Sequence, residues 1–146
     1  LYPERIYFKP EAIPIGPRLS ELRDITGGKA RIFEGTGGAH LVDSYQRGII
    51  GTMPGADICW AVVALWTALV ENDWHKINQL SGAIANLVDL MPTLDTYIAI
   101  EKHLLQKQTI FSNSRIRGPV SFRLDIETAD ECERIFAHLI QLSSKS

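Results

Sequence analysis

The chain has 146 residues, of which 45% are hydrophobic and 22% are charged, so its composition is that of a globular protein with material for one core. Its formal net charge is -2, and it contains no block of lysine and arginine, which argues against a nucleic-acid partner. The most apolar run, residues 58–70, is shorter than the roughly 20 residues that span a bilayer. We therefore expect no membrane partner, no secretion signal, and a helix buried on nearly all sides over this run.

The two cysteines lie far apart in the sequence. Cys59 and Cys132 each fall in a segment that predicts an apolar helix face, and neither has partners at metal-ligand spacing. We expect two buried thiols, no disulfide, no metal and no cofactor. Free thiols of this kind are typical of a reducing compartment, so the expected location is cytoplasmic.

The first half of the chain alternates short strands and helices, which indicates parallel strands joined by right-handed crossovers in an α/β fold. The first strand is expected to be buried or half-buried and to end before Pro10, because proline cannot donate to a sheet ladder. The predicted strands are 5–9, 30–34 and a third from 49, and the predicted helices run from Pro17 to the glycines at 27–28, over 39–47, and from about 56.

Only helices are predicted beyond Asn72. Apolar residues recur at helical spacing on both sides of Pro92 and again near the end of the chain. The last helix is predicted to begin at Thr128, because Glu131 follows three residues later in the pattern of a capping box. Three strand–helix units alone leave sheet edges without partners, so the sequence indicates that further units complete the fold.

Four stretches of the chain carry a family resemblance: "IYFKPEA", "RIFEGTGGAHLVDSYQRGIIGTMPGAD", "YIAIEKHLLQKQTIF" and "RIRGPVSFRLD". In order and approximate spacing they resemble the dihydrodipicolinate synthase and N-acetylneuraminate lyase superfamily. The resemblance implies a (β/α)8 TIM barrel. Residues 1–74 would be its strands six to eight with their helices, and residues 75–146 its C-terminal helical extension. It also implies a homo-oligomer, either a dimer or a tetramer.

The resemblance implies that Lys9 is the amine that condenses with the ketone of pyruvate or another 2-keto acid. Active sites of such barrels lie at the carboxyl ends of the strands, where Lys9 stands. The resulting Schiff base draws electrons and supports aldol cleavage, aldol addition or dehydration. An amine attacks a carbonyl only when unprotonated, which burial favours. The strand pattern alone favours a lysine that reaches solvent, and the resemblance favours the imine-forming one.

Two glycine-rich loops follow the second and third predicted strands, and in the family they contact the substrate beyond its pyruvate part. The alternative is that they are only tight turns. The glycines at 37–38 stand where sialic acid lyases carry an acidic pair, which counts against a sialic acid substrate. A dehydratase or aldolase of a deoxy sugar acid is at least as consistent with these loops as dihydrodipicolinate synthesis. The substrate-binding candidates are Gly35, Thr36, Thr52 and Met53.

Glu11 and Glu34 are the carboxylates nearest the proposed lysine, and either could serve as general acid or base, although an exposed loop glutamate is the commoner case. The family's relay tyrosine and its carboxylate-binding hydroxyl pair would lie upstream of Leu1. We therefore expect the isolated chain to be inactive and to need the N-terminal part of the barrel as a partner. Two alternatives remain open, a non-catalytic homologue and a stand-alone binding or assembly domain.

Overall fold

The structure is a computed structural model, and it describes residues 5–144. The first half contains β1 (Tyr7–Phe8), α1 (Ile15–Ile25), β2 (Arg31–Glu34), α2 (Leu41–Gln46), β3 (Gly51–Thr52) and α3 (Cys59–Glu71). The second half contains α4 (Trp74–Asp89), α5 (Leu94–Lys107) and α6 (Ile126–Ser144). The predicted alternation and the predicted helical second half are both confirmed.

The three strands form one parallel sheet in the order β1-β2-β3. Tyr7 pairs with Arg31, and Phe33 pairs with Gly51. The first strand is shorter than predicted and is not buried, since Tyr7 is 48% exposed and Phe8 is 38% exposed. The reason is its place in the sheet, because an edge strand has a neighbour on one side only.

The core lies mainly among the helices. The sheet contributes Ile32 of β2, and Ile49 just before β3 also belongs to the core. The apolar stripe of α4 is buried as predicted, but α3 is not buried on all sides, because Val63 is 63% exposed and Val70 is 56% exposed. Helices α2, α4 and α6 pack against α3 and leave its remaining side open. The fully buried leucines of the helices are Leu19, Leu41, Leu65, Leu80, Leu87, Leu104 and Leu139.

Two helices begin earlier than predicted. Helix α1 begins at Ile15 rather than at Pro17, because the proline before Ile15 is already extended and acts as its N-cap residue. Helix α6 begins at Ile126, and the Asp125 carboxylate accepts hydrogen bonds from the Thr128 amide at 2.7 Å and from the Thr128 hydroxyl at 3.1 Å. Asp125 therefore caps this helix, and the predicted capping role of Thr128 is wrong.

Both cysteines are free thiols, but only Cys132 is buried. Burial raises the pKa of the Cys132 thiol to about 11, so the thiolate is scarce at neutral pH. Cys59 is exposed, contrary to the prediction, because it begins α3 at an open position. Within residues 5–144, no helix is both long and apolar enough to cross a membrane.

Candidate functional site

Parallel pairing brings the carboxyl ends of the three strands to one edge of the sheet. Lys9 follows β1 directly, Gly35 begins the loop after β2, and Thr52 is the last residue of β3. Glu34, the last residue of β2, is the register partner of Thr52. The residues that the sequence singled out as site candidates are therefore neighbours at this edge.

Strand alternation gives the sheet two distinct faces. On one face the Arg31 guanidinium carbon lies 4.2 Å from the centre of the Tyr7 ring, and the Tyr7 and Phe33 rings are 5.8 Å apart. Lys9 comes two residues after Tyr7, so alternation assigns it to this face. Ile32 and Glu34 belong to the opposite face, which the helices cover, and are 2% and 0% exposed.

Lys9 forms an ion pair with Glu11, in which the Lys9 ammonium donates to the carboxylate. The side chains remain 43% and 56% exposed, so the pair contributes little to stability. The interpretation of Glu11 as an exposed loop residue is confirmed. Residues 5–144 do not bury Lys9, because β1 is an edge strand.

Gly35 lies where the loops after β1 and β2 approach each other most closely. A Cβ atom on Gly35 would stand 2.4 Å from Glu11 Cγ and 2.9 Å from the Pro10 carbonyl oxygen. Both distances are shorter than normal contacts, and the carbonyl belongs to the main chain. The approach of the two loops therefore requires glycine at this position.

We expect Gly35→Ala to lower the free energy of unfolding by about 1–2 kcal/mol, because the new methyl group forces the two loops apart. Gly82→Ala is the matched control, since Gly82 lies within α4 and a Cβ there has no neighbour within 4 Å. The free energy of unfolding of that control should rise by about 0.5–1 kcal/mol, because alanine has a higher helix propensity than glycine. Urea unfolding of both variants measures the difference, and equal stabilities would contradict the close approach.

Glu34 is completely buried, so its interpretation as an exposed loop residue is wrong. Its Oε1 accepts hydrogen bonds from the Thr36 amide at 2.6 Å and from the Thr36 hydroxyl, and its Oε2 accepts from the Thr52 hydroxyl at 2.6 Å. Its carbonyl oxygen accepts from the Met53 amide at 3.1 Å. The Glu34 carboxylate thus joins two of the four substrate-side candidates, Thr36 and Thr52, and the Glu34 main-chain carbonyl contacts a third, Met53.

The sequence analysis missed a second buried acid, Asp57, in the loop after β3. Asp57 is 1% exposed, and its Oδ2 has no hydrogen-bond partner among the described residues. Asp57, Tyr97 and Glu101 surround Gly55, because a Cβ on Gly55 would stand 2.4 Å from Asp57 Oδ1, 2.7 Å from the Tyr97 hydroxyl and 3.3 Å from Glu101 Oε1. The sequence feature that could have indicated this buried acid is an aspartate directly before a long apolar run.

The surroundings of Asp57 change its acidity. Burial, and then the negative charge of Glu101, raise the pKa of Asp57 to about 6. Burial, Glu101 and Asp57 together raise the pKa of Tyr97 to about 12. Glu101 also accepts the Ala56 amide at 2.8 Å, and the Gln108 side chain donates to the Asp57 carbonyl oxygen at 3.0 Å. Helix α5 therefore holds the loop after β3 in place.

Apolar grooves lie beside β1 and β3, the two outer strands of the sheet. The groove at β1 has a volume of about 280 Å³ and is lined by Ile6, Phe8 and Ala30 among others. The groove at β3 has a volume of about 270 Å³ and includes Pro54 and Trp66. In the part of the chain that the structure describes, no group of three or more His, Cys, Asp or Glu residues could hold a metal ion.

Two solved structures with a similar fold are described as a dihydrodipicolinate synthase and a related protein. Dihydrodipicolinate synthase from Rhodopseudomonas palustris matches with a TM-score of 0.77 and 22% identity, over 89% of this chain and 44% of that one. A Pseudomonas aeruginosa protein provisionally described as a dihydrodipicolinate synthetase matches with a TM-score of 0.71 and 20% identity, over 86% of this chain and 43% of that one. The chain thus spans less than half of their length. A scan of protein-family models and a search of curated proteins give no match.

The comparisons confirm the predicted fold class and the predicted resemblance in fold. The three strand–helix units and the helices after them agree with a C-terminal portion of a (β/α)8 barrel of the dihydrodipicolinate synthase type.

Proposed function

We propose that this chain is the C-terminal part of a lyase in which Lys9 forms a Schiff base with pyruvate or another 2-keto acid. The observation that carries the proposal is the position of Lys9, directly after β1 at the carboxyl edge of the sheet, in a fold shared with dihydrodipicolinate synthases. Barrel enzymes carry their reactive groups at this edge.

The proposed reaction begins when the unprotonated Lys9 amine attacks the keto carbon. The keto oxygen leaves as water and a carbon–nitrogen double bond forms, so no oxidant or reductant is needed. The protonated imine then draws electrons from the adjacent carbon. This supports addition of that carbon to an aldehyde, the reverse cleavage, or loss of a neighbouring hydroxyl group.

The proposal requires strand–helix units beyond the three of this chain, in the same polypeptide or supplied by another one. The exposed β1, the two grooves at the sheet edges and the partial coverage of the solved structures support this requirement. Units packed on β1 would also cover Lys9 and favour its neutral amine. In this proposal residues 1–74 are barrel units and residues 75–146 are the extension.

The other site candidates keep proposed roles within this arrangement. Glu11 pairs with Lys9 and is exposed, so it is the candidate acid or base of the two glutamates. Gly35, Thr36, Thr52 and Met53 are proposed to define the space for the substrate beyond its keto acid end. We propose a deoxy sugar acid or an aldehyde such as aspartate semialdehyde as that substrate, and a homo-oligomer in the cytoplasm as the functional form.

The test is to incubate the complete protein with pyruvate, reduce it with borohydride, and locate the modified residue by mass spectrometry. We expect one adduct, on Lys9. Residues 1–146 alone should show no turnover with pyruvate and a panel of aldehydes, because the rest of the site is absent. Modification at another residue, or none, would contradict the proposal and favour a non-catalytic homologue.

A further inference from the structure

We propose that Glu34 is a positioning residue, which fixes the loop after β2 against the end of β3. The inference rests on the proposed function, because the residues that Glu34 holds are those proposed to meet the substrate. It replaces the role of general acid or base that the sequence allowed for Glu34.

The two oxygens of the Glu34 carboxylate are divided between the two loops. Oε1 accepts from the Thr36 amide at 2.6 Å and from the Thr36 hydroxyl, whereas Oε2 accepts from the Thr52 hydroxyl at 2.6 Å. The main chain adds a second link, because the Glu34 carbonyl oxygen accepts from the Met53 amide at 3.1 Å. Movement of one loop relative to the other would break one of these hydrogen bonds.

The burial of Glu34 argues for positioning rather than proton transfer. The residue is 0% exposed, and strand alternation places it on the helix-covered face with Ile32, opposite to the face of Phe33. A general acid or base must come within hydrogen-bond distance of the substrate. Glu34 has no surface available for that contact, and donors already occupy both of its oxygens.

Loss of the carboxylate would leave the Thr36 amide and hydroxyl without their acceptor, and would leave the Thr52 hydroxyl with only the Glu34 carbonyl oxygen at 3.2 Å. Half-buried donors without partners shift to reach water or another acceptor. A displacement of about 1 Å in a substrate-positioning loop lowers turnover by up to ~100-fold. We therefore expect a loss in kcat/KM.

Two variants of Glu34 separate the possible roles. Glu34→Leu keeps a similar volume and removes both acceptors. Glu34→Gln keeps one acceptor for Thr36, and its amide group can donate to the Thr52 hydroxyl. If Glu34 were a general acid, both variants would lack it, and turnover would drop by ~10²–10⁴ in each. A positioning residue should be largely rescued by glutamine.

The experiment uses the complete protein, pyruvate, and each compound of a panel of deoxy sugar acids and aspartate semialdehyde. We expect Glu34→Leu to lower kcat/KM by ~10- to 100-fold, and Glu34→Gln by less than about threefold. Both variants should still form the borohydride-trapped pyruvate adduct on Lys9. Equal losses in the two variants, or no loss in Glu34→Leu, would overturn the inference.

Hydrogen–deuterium exchange at the Thr36 and Met53 amides tests the positioning without substrate. Both amides should exchange faster in Glu34→Leu than in Glu34→Gln. If Glu34→Leu does not fold, Thr52→Val removes one of the hydroxyl groups and should raise the exchange rate at Met53. Unchanged exchange in these variants would overturn the inference. A wild-type protein that traps no pyruvate would instead contradict the proposed function alone.

Discussion

Replacement of Lys9 by arginine should abolish turnover and leave the fold intact. Arginine keeps the positive charge and can keep the ion pair that Lys9 forms with Glu11. Its guanidinium group is not deprotonated in proteins, so it cannot attack a keto carbon. We expect a drop of at least ~10³-fold in kcat, or about 4 kcal/mol in activation free energy.

Lys107→Arg is the matched control for this substitution. Lys107 is also exposed and also pairs with a glutamate, since its Nζ lies 2.9 Å from Glu133 Oε1. The control should keep both turnover and the borohydride-trapped adduct, and thermal unfolding should be the same in all three proteins. Turnover retained by Lys9→Arg would show that Lys9 acts through its charge and not as a nucleophile.

Asp57→Asn should stabilise the chain at neutral and alkaline pH. The pKa of the Asp57 carboxyl is about 6 in the folded chain and has an ordinary value of 3.8. The folded state therefore binds this proton more tightly than the unfolded state, and its stability falls as pH rises from 3.8 through 6. This shift of about two pKa units corresponds to about 3 kcal/mol of folding stability, which is present at low pH and fully lost above pH 7.

Urea unfolding near pH 4 and at pH 8 measures this effect. The stability difference between Asp57→Asn and the wild type should be about 2 kcal/mol larger at pH 8 than near pH 4, because asparagine is neutral throughout and part of the effect is already present near pH 4. Asp130→Asn, at an exposed position of α6, is the control and should follow the wild type. A variant with the same pH dependence as the wild type would show that Asp57 is not the group responsible.

The sequence predicted the features that depend on local periodicity. The buried stripe of α4 could be predicted, because residues at helical spacing share one face whatever packs on it. The exposure of Val63 and Val70 could not, because it depends on how much of the chain packs around α3. The same limit applies to β1. Its sequence predicts a buried or half-buried strand, but the strand lies at the edge of the sheet.

The proximity of the candidate residues could be predicted, but their contacts could not. Lys9 and the glycine-rich loops could be located because parallel strands end at one edge of the sheet. The burial of Glu34 depends on which face a four-residue strand turns toward the helices. The raised pKa of Asp57 depends first on its burial and then on Glu101, which is distant in sequence and comes near it through the packing of α5.

The sheet register also has a consequence for the order of folding. Tyr7 pairs with Arg31, 24 residues later, and Phe33 pairs with Gly51, 18 residues later. The entropy cost of closing a loop grows only slowly with its length, so connections of this size add little to that cost. The three strands can therefore pair without waiting for a distant segment. In the proposed barrel, other units would cover the edges of this sheet, and they would not be needed to close its loops.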